Sequence, residues 1–192
     1  MAGPKILIIP GSLRTGSHNV KLAAAAAYAF AQADVQATRI SLADFPLPIY
    51  DADLQARSGI PKHAINLKRM IGAHRGVLIV TPEYNASVPA LVKNAIDWVS
   101  RVQDPHETRG QVFRERAFAI ASASEGRLGG ARALAALRLI LSACHAMVIP
   151  NQLALSFAGQ AYDDMDRLKH FADIEALTAM VRQLIETSDR MT

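Results

Sequence analysis

Nine consecutive residues, Gly11-Ser12-Leu13-Arg14-Thr15-Gly16-Ser17-His18-Asn19, gather glycines, hydroxyls, an amide and a guanidinium. They lie between an apolar run, Ile6-Leu7-Ile8-Ile9, and a helical stretch that opens near Val20. A strand that turns into a helix through such residues builds an anion site. The turn amides and the helix N-terminus point at one spot, and the helix dipole favours negative charge there. Ser12, Ser17 and Asn19 add side-chain donors, and Arg14 adds a cation. Phosphate is the natural guest. Gly11 and Gly16 have the spacing of the nucleoside-triphosphate loop, but Ser17-His18 stands where Lys and a hydroxyl residue are needed. The dinucleotide motif fails too, because position 13 is Leu and not Gly. A phosphomonoester is the ligand reading; a capped strand-to-helix turn without a ligand is the alternative.

Two further loops have unusual chemistry. Thr81-Pro82-Glu83-Tyr84-Asn85-Ala86-Ser87 follows the apolar run Gly76–Val80. Pro82 stiffens the strand exit, Tyr84 offers a flat face or a hydroxyl, and Asn85 offers an amide to the polar edge of a heteroaromatic ring. The alternative is a turn closed by Asn85, with Ser87 capping the next helix. Ser122-Ala123-Ser124-Glu125-Gly126-Arg127-Leu128-Gly129-Gly130 follows another apolar run. Its glycines permit close backbone approach to a ligand, or simply a flexible connection.

The elements that must position these loops alternate along the chain. Strands are expected at 5–9, 37–42, 76–80, 117–121 and 146–149, the last running raggedly toward Leu155. Helices are expected at 20–32, at 61–73 with Pro61 in the first turn, and after Ser87 as cap with Pro89 in the first turn. A fourth carries Leu134, Leu137, Leu141 and Cys144, and a fifth carries Leu168, Phe171, Leu177, Val181 and Leu184. The stretch 43–60, with Pro46, Pro48 and Gly59, reads as a long irregular loop. This alternation predicts an α/β three-layer sandwich around a five-stranded parallel sheet. In the order 2-1-3-4-5, the loops after strands one, three and four leave the carboxyl edge together. The ligand crevice then lies between strands one and three.

Composition narrows the classes. No repeat or linker divides the 192 residues, so a single domain, 1–192, is expected. No segment is apolar for long enough to predict a membrane span, and the N-terminus does not read as a signal peptide, so a cytoplasmic protein is expected. The net charge of +4 comes without basic runs and does not point to nucleic acid. The histidines show no metal-ligand spacing, so no metal site is predicted. Cys144 is alone, which excludes a disulfide within the chain, and its apolar neighbours predict a buried thiol.

The three loops in combination resemble the NAD(P)H-dependent FMN reductases of the flavodoxin superfamily, a group that includes bacterial quinone and chromate reductases. Gly11, Ser12, Arg14, Ser17 and Asn19 match its first motif. Pro82–Asn85 match its Pro-Glu-Tyr-Asn motif, continued at Lys93, Asn94, Ile96, Asp97 and Trp98. Ser124, Gly126, Gly129 and Gly130 match its third. The resemblance covers the whole chain and implies the flavodoxin-like fold. It implies that Ser12, Arg14, Ser17 and Asn19 hold the FMN phosphate, with Gly11 and Leu13 also part of the cofactor site. By the same resemblance Pro82, Glu83, Tyr84 and Asn85 line the isoalloxazine ring, while Ser124, Glu125 and Gly126 approach it from the other side. One departure is Ala90, where the family often has Gly; its methyl is expected to crowd a neighbour. Trp98 is expected in the core or at a subunit contact, and Asp97 is expected to pair with Arg101.

The implied activity is NAD(P)H oxidation with transfer to quinones or similar acceptors, among them chromate, azo compounds and free flavin. The cycle would be ping-pong, with flavin N5 carrying the hydride and no side chain named as catalytic. Arg127 is a further candidate to contact the nicotinamide nucleotide. The helix bearing Trp98 suggests self-association, and the resemblance implies homodimers or homotetramers. The alternatives are a flavodoxin-like electron carrier, which the positive charge disfavours, and an FMN-binding protein without turnover.

Overall fold

Along the central strands, successive residues alternate between two apolar layers. Ile6, Ile8, Leu78, Val80, Ala119 and Ala121 pack to one side. Leu7, Ile9, Val77, Ile79, Phe118 and Ile120 pack to the other. Strands buried on both faces belong inside a parallel sheet covered by helices. The computed structural model describes residues 3–108 and 110–191. Met1, Ala2, Arg109 and Thr192, which a domain of 1–192 also takes in, lie outside the described residues.

The chain runs β1 (Ile6–Pro10), α1 (His18–Gln32), β2 (Ala37–Arg39), α2 (Ala52–Ser58), α3 (Lys62–Gly72), β3 (Gly76–Val80), α4 (Ala90–Val99), α5 (Gln111–Arg114), β4 (Ala117–Ala123), α6 (Ala131–Ala143), β5 (Met147–Val148), β6 (Leu153–Leu155) and α7 (Phe171–Arg190). All strand pairs are parallel, in the order β2-β1-β3-β4-β5, with β6 also on β4. Leu22, Ala26 and Phe30 of α1 and Leu177, Val181 and Leu184 of α7 cover one face. Leu67 of α3, Val92 and Ile96 of α4, and Leu134 and Leu137 of α6 cover the other. Pro10 pairs with Val80, and Val80 with Ala121, so the three strands stand level at their carboxyl ends. The expected strand order and layers are present.

Several boundaries differ from expectation. The fifth strand is two: Pro150, which has no N–H to give a ladder, lies between β5 and β6. The second strand stops at Arg39, where Ser41 instead caps a short turn by accepting from the Ala43 amide at 3.2 Å. The stretch 43–60 is not structureless. Asp51 caps α2, accepting from Asp53 and Leu54 amides at 2.7 and 3.2 Å. Upstream of it, Trp98 Nε1 and Asn94 Nδ2 donate to the Pro48 carbonyl at 2.7 and 2.9 Å, and the Tyr50 amide donates to Asn94 Oδ1 at 2.8 Å. Trp98 is fully buried and packs edge-on against Tyr50, so it offers no self-associating surface. Asp97 pairs with Lys93, not Arg101, whose guanidinium lies over the Tyr50 ring. Pro89, not Ser87, occupies the cap of α4, and Pro61 caps α3 from outside its first turn. Ala90 is exposed, so its methyl crowds nothing, and Cys144 is half-buried. Among the described residues no helix is long and apolar enough to cross a membrane.

Far from the carboxyl edge, Lys68 fastens the segment that follows α4. Its ammonium is buried and donates to Asp104 at 2.8 Å and to Glu107. Burial alone would lower the Lys68 pKa, but the two carboxylates raise it on balance. The Lys68 hydrogen bond is the largest influence holding Asp104 and Glu107 below their ordinary values of 3.8 and 4.5. Depressed carboxylates stabilise the fold above their unfolded values and lose that contribution as pH falls through the folded ones. Hydrogen exchange in residues 103–107, measured against the intrinsic rate at each pH, should therefore lose protection below pH 3.8. In Lys68→Met it should be fast at neutral pH as well. Equal protection in both proteins at neutral pH would show that the clasp does not hold this segment.

Candidate functional site

The level ends of β1, β3 and β4 bring the three loops side by side. Gly11 leaves β1 with its amide donating to Val80 O at 2.7 Å. A Cβ there would stand 2.5 Å from Val92 Cγ2, so only glycine lets β1 exit this close to α4. Ser17 caps α1, accepting from the Asn19 amide at 3.2 Å, and Ser12 Oγ accepts from the Arg14 amide at 3.3 Å. The amides of Ser12, Leu13, Thr15, Gly16 and His18 meet no acceptor among the described residues. Gly16 has φ 69°, and a side chain there would meet open space. Arg14 is exposed and makes no ion pair among the described residues. Helix N-terminus, free amides, the Ser17 hydroxyl and Arg14 thus form a cradle for an anion.

The second loop is a tight hairpin. Tyr84 and Ser87 exchange backbone hydrogen bonds at 2.9 and 3.0 Å, with Asn85 at φ 49° and Ala86 at φ 63°. Two successive left-handed residues make the type I′ turn, which Asn tolerates and Ala adopts only with strain. Tyr84 stands half in solvent, and the Asn85 amide has no protein partner among the described residues. Glu83 behaves differently from its neighbours. Its carboxylate pairs with Arg132 and accepts from the Arg132 and Ala133 amides at 3.2 and 3.3 Å, capping α6 from another loop. Burial alone would raise its pKa, but Arg132 and the amides hold it below the ordinary value.

In the third loop the glycines have separate causes. A Cβ on Gly130 would collide with Ser122 Oγ, and one on Gly129 would lie 2.5 Å from the Ala154 backbone. Both have positive φ. They serve protein packing, and only Gly126 faces open space, with Ser124 Oγ at 3.8 Å as its nearest neighbour. Glu125 Oε1 meets His18 Nε2 at 2.6 Å, while Oε2 accepts from the Gly159 amide at 3.2 Å. The His18 ring lies parallel to Tyr162, whose hydroxyl donates to His18 O at 2.9 Å. Burial, then the charges of Asp166 and Asp173, push the Tyr162 pKa up, so the hydroxyl keeps its proton as donor.

Asn19 ties the first loop to the third. Its Nδ2 donates to Ala123 O at 2.9 Å and its Oδ1 accepts from Ala123 N at 2.9 Å. The side chain expected to hold phosphate is therefore turned to the protein, buried, and committed to the end of β4. The structure brings all thirteen expected site positions to one edge. It turns the side chains of Asn19, Glu83 and Glu125 toward partners within the protein. Sequence reasoning missed His18, Arg132 and Tyr162. Their pairings span 107, 49 and 144 residues, distances over which local spacing carries no signal. A separate groove of about 1110 Å³ lies between α1 and α7, lined by Tyr28, Leu177 and Val181 among others, and none of the three loops borders it.

A parallel sheet in this order, with a phosphate-type cradle after its first strand and two more loops beside it, defines a flavodoxin-like α/β protein. Residues 4–160 match the NADPH-dependent FMN reductases, and the chain belongs to that family. It is 41% identical over 146 residues to a quinone reductase of Escherichia coli K12, covering 76% of this chain and 73% of that protein. It is 37% identical over 189 residues to an NAD(P)H-dependent FMN reductase of Pseudomonas aeruginosa, covering 94% of this chain and 96% of that protein. The solved structure of the Paracoccus denitrificans flavoenzyme FerB, an NAD(P)H:(acceptor) oxidoreductase, superposes with a TM-score of 0.81 at 26% identity, covering 98% of each chain.

The Asn19 tie predicts a pH-dependent defect. Asn19→Asp keeps an acceptor for Ala123 N but sets a carboxylate against Ala123 O. It should destabilise the protein by about 2 kcal/mol at neutral pH. Burial beside a carbonyl raises the new carboxyl's folded pKa, so protonation should restore the donor and recover stability on acidification. Thermal melts of both proteins between neutral and mildly acidic pH check this; a pH-independent deficit would refute it.

Proposed function

We propose that this protein is an FMN-dependent NAD(P)H oxidoreductase whose acceptors are quinones. The observation that carries the reading is the cradle after β1: a capping hydroxyl at one helix N-terminus with five amides and an arginine that have no acceptor or ion-pair partner among the described residues. These donors fit the terminal phosphate of FMN, which carries close to two negative charges at neutral pH. The backbone amides of Glu125 and Arg127, which meet no acceptor among the described residues, together with the Asn85 side chain, suit the polar edge of the ring. When bound, FMN supplies the redox chemistry, taking a hydride from NAD(P)H and passing two electrons to the acceptor.

The chain's own part is to hold the phosphate, set the ring between the second and third loops, and leave one face open. Donor and acceptor use that face in turn, which gives ping-pong kinetics. No side chain need act as a base. Arg127 is exposed and free of ion pairs among the described residues, which suits it to the phosphates of the nicotinamide nucleotide. Names carried by similar proteins, a quinone reductase at 41% identity among them, favour quinones as acceptors. The reading places the enzyme in the cytoplasm, where NAD(P)H is supplied, as a homo-oligomer.

The purified protein should take up FMN, turn yellow and oxidise NADPH when given 1,4-benzoquinone. Failure to bind FMN would sink the reading. Arg14→Ala should weaken FMN binding about tenfold to a hundredfold, as expected for loss of charge-assisted hydrogen bonds. Its circular dichroism should match the parent. Unchanged affinity in a fluorescence titration would place the phosphate elsewhere.

A further inference from the structure

Four large apolar side chains stand in solvent around the cradle edge: Leu13, Tyr84, Leu128 and Phe157. The first three belong to the loops already described. Phe157 follows β6 and opens the short turn Ala158–Gln160. Its neighbours pin it against the third loop. Ser156 Oγ donates to Arg127 O at 2.6 Å, Ala158 N donates to Ser124 O at 3.0 Å, and its own amide points to Gly126 O at 3.5 Å.

Phe157 is costly to the fold twice over. Its φ of 49° lies in the left-handed region, which strains a non-glycine residue and is rare for a bulky one. The residue is 51% exposed, so the core gains little from it. Glycine would relieve the backbone, and a polar side chain would suit the water. Strain of this kind persists where binding uses it. The chemistry beside the ring narrows the ligand. Leu128, in the third loop, is exposed as well, while the Glu125 carboxylate beside this turn is held by His18 Nε2 and Gly159 N. An apolar ring standing in water offers its face to a flat aromatic molecule and offers no charge to a small ion.

We infer that Phe157 is the specificity-determining residue for the electron acceptor, stacking on flat aromatic quinones and favouring them over small or ionic oxidants. The inference rests on the FMN-dependent reading above. The overall reaction balances as NAD(P)H, a proton and a quinone giving NAD(P)⁺ and the hydroquinone; two electrons and two protons reach the two quinone oxygens. Phe157 takes no part in proton transfer and acts through stacking.

The test titrates oxidised, FMN-loaded protein with 1,4-naphthoquinone in a calorimeter, without NADPH. Phe157→Ala should bind naphthoquinone about tenfold more weakly, while the FMN Kd and the kcat for ferricyanide reduction stay within about twofold. Phe157→Tyr should keep the parent affinity. Phe157→Gly should share the alanine variant's loss with an equal or higher Tm, because it removes strain. Unchanged naphthoquinone affinity in Phe157→Ala, with FMN and NADPH turnover intact, would overturn this inference alone. A parallel loss with ferricyanide, or a lower Tm in Phe157→Gly, would also overturn it. So would a change in sedimentation showing that Phe157 is a subunit contact. Wild-type protein that takes up no FMN would defeat the underlying reading and this inference with it.

Discussion

The two hydrogen bonds between the Asn19 amide and the Ala123 backbone are the constraint on which the site depends. β4 is the last central strand, and at Ala123 it runs beyond the ladder it shares with β3. Its free N–H and C=O at that point need partners, because buried backbone groups left unpaired are expensive. Asn is suited to meet both, presenting a donor and an acceptor about as far apart as a peptide group does. By pairing there, Asn19 fixes the first turn of α1 against the root of the third loop. The direction of the α1 N-terminus, and so the aim of its free amides, follows from that one contact.

The other two loops are held on the same logic. Glu83 reaches from the second loop to the N-terminus of α6, where the helix dipole and Arg132 favour its charge. Gly129 and Gly130 let α6 begin directly against β6 and Ser122, where no side chain would fit. Three loops that leave different strands are thus linked through side chains facing inward. What faces outward is left with unmet hydrogen-bond donors and bare apolar surface. The edge is rigid at its base and unsatisfied at its rim, as a binding site must be before its ligand arrives.

Much of this was legible from local pattern. The strands Gly76–Val80 and Ala117–Ala123 announce themselves by continuous apolar composition, and the loop 11–19 by its small residues after a strand. The strand order and layers follow from that alternation. What was not legible depends on distant partners. The stretch 43–60 reads as irregular because Pro46 and Pro48 break local pattern, yet its order comes from Trp98 and Asn94, about fifty residues on. Asn19 and Glu83 carry the right residue types for a ligand, and the same donors and acceptors serve an inward hydrogen bond equally well. Residue type identifies what a side chain can bond; only the fold decides which partner it meets first. The glycines of the third loop illustrate the point, since three look alike in sequence and only Gly126 faces open space.

The backbone strain is distributed unevenly, and its location is informative. Among the described residues six non-glycine residues have positive φ, and three of them, Asn85, Ala86 and Phe157, stand at the carboxyl edge beside the cradle. Asn85 tolerates this conformation through its short polar side chain, but Ala86 and Phe157 have no such compensation. The hairpin at Tyr84–Ser87 holds its shape through two hydrogen bonds, and the segment 156–158 holds Phe157 through three contacts with the third loop. In both places the surrounding bonds over-determine a backbone that the side chain alone would not choose. A sequence selected for stability alone would place glycine at 86 and at 157. Retaining larger residues there gives the edge a defined shape before any ligand binds, so less conformational freedom is lost on binding. The fold is thus locally less stable where it is most pre-organised, and the same apolar ring that water disfavours becomes the surface on which a flat molecule can rest.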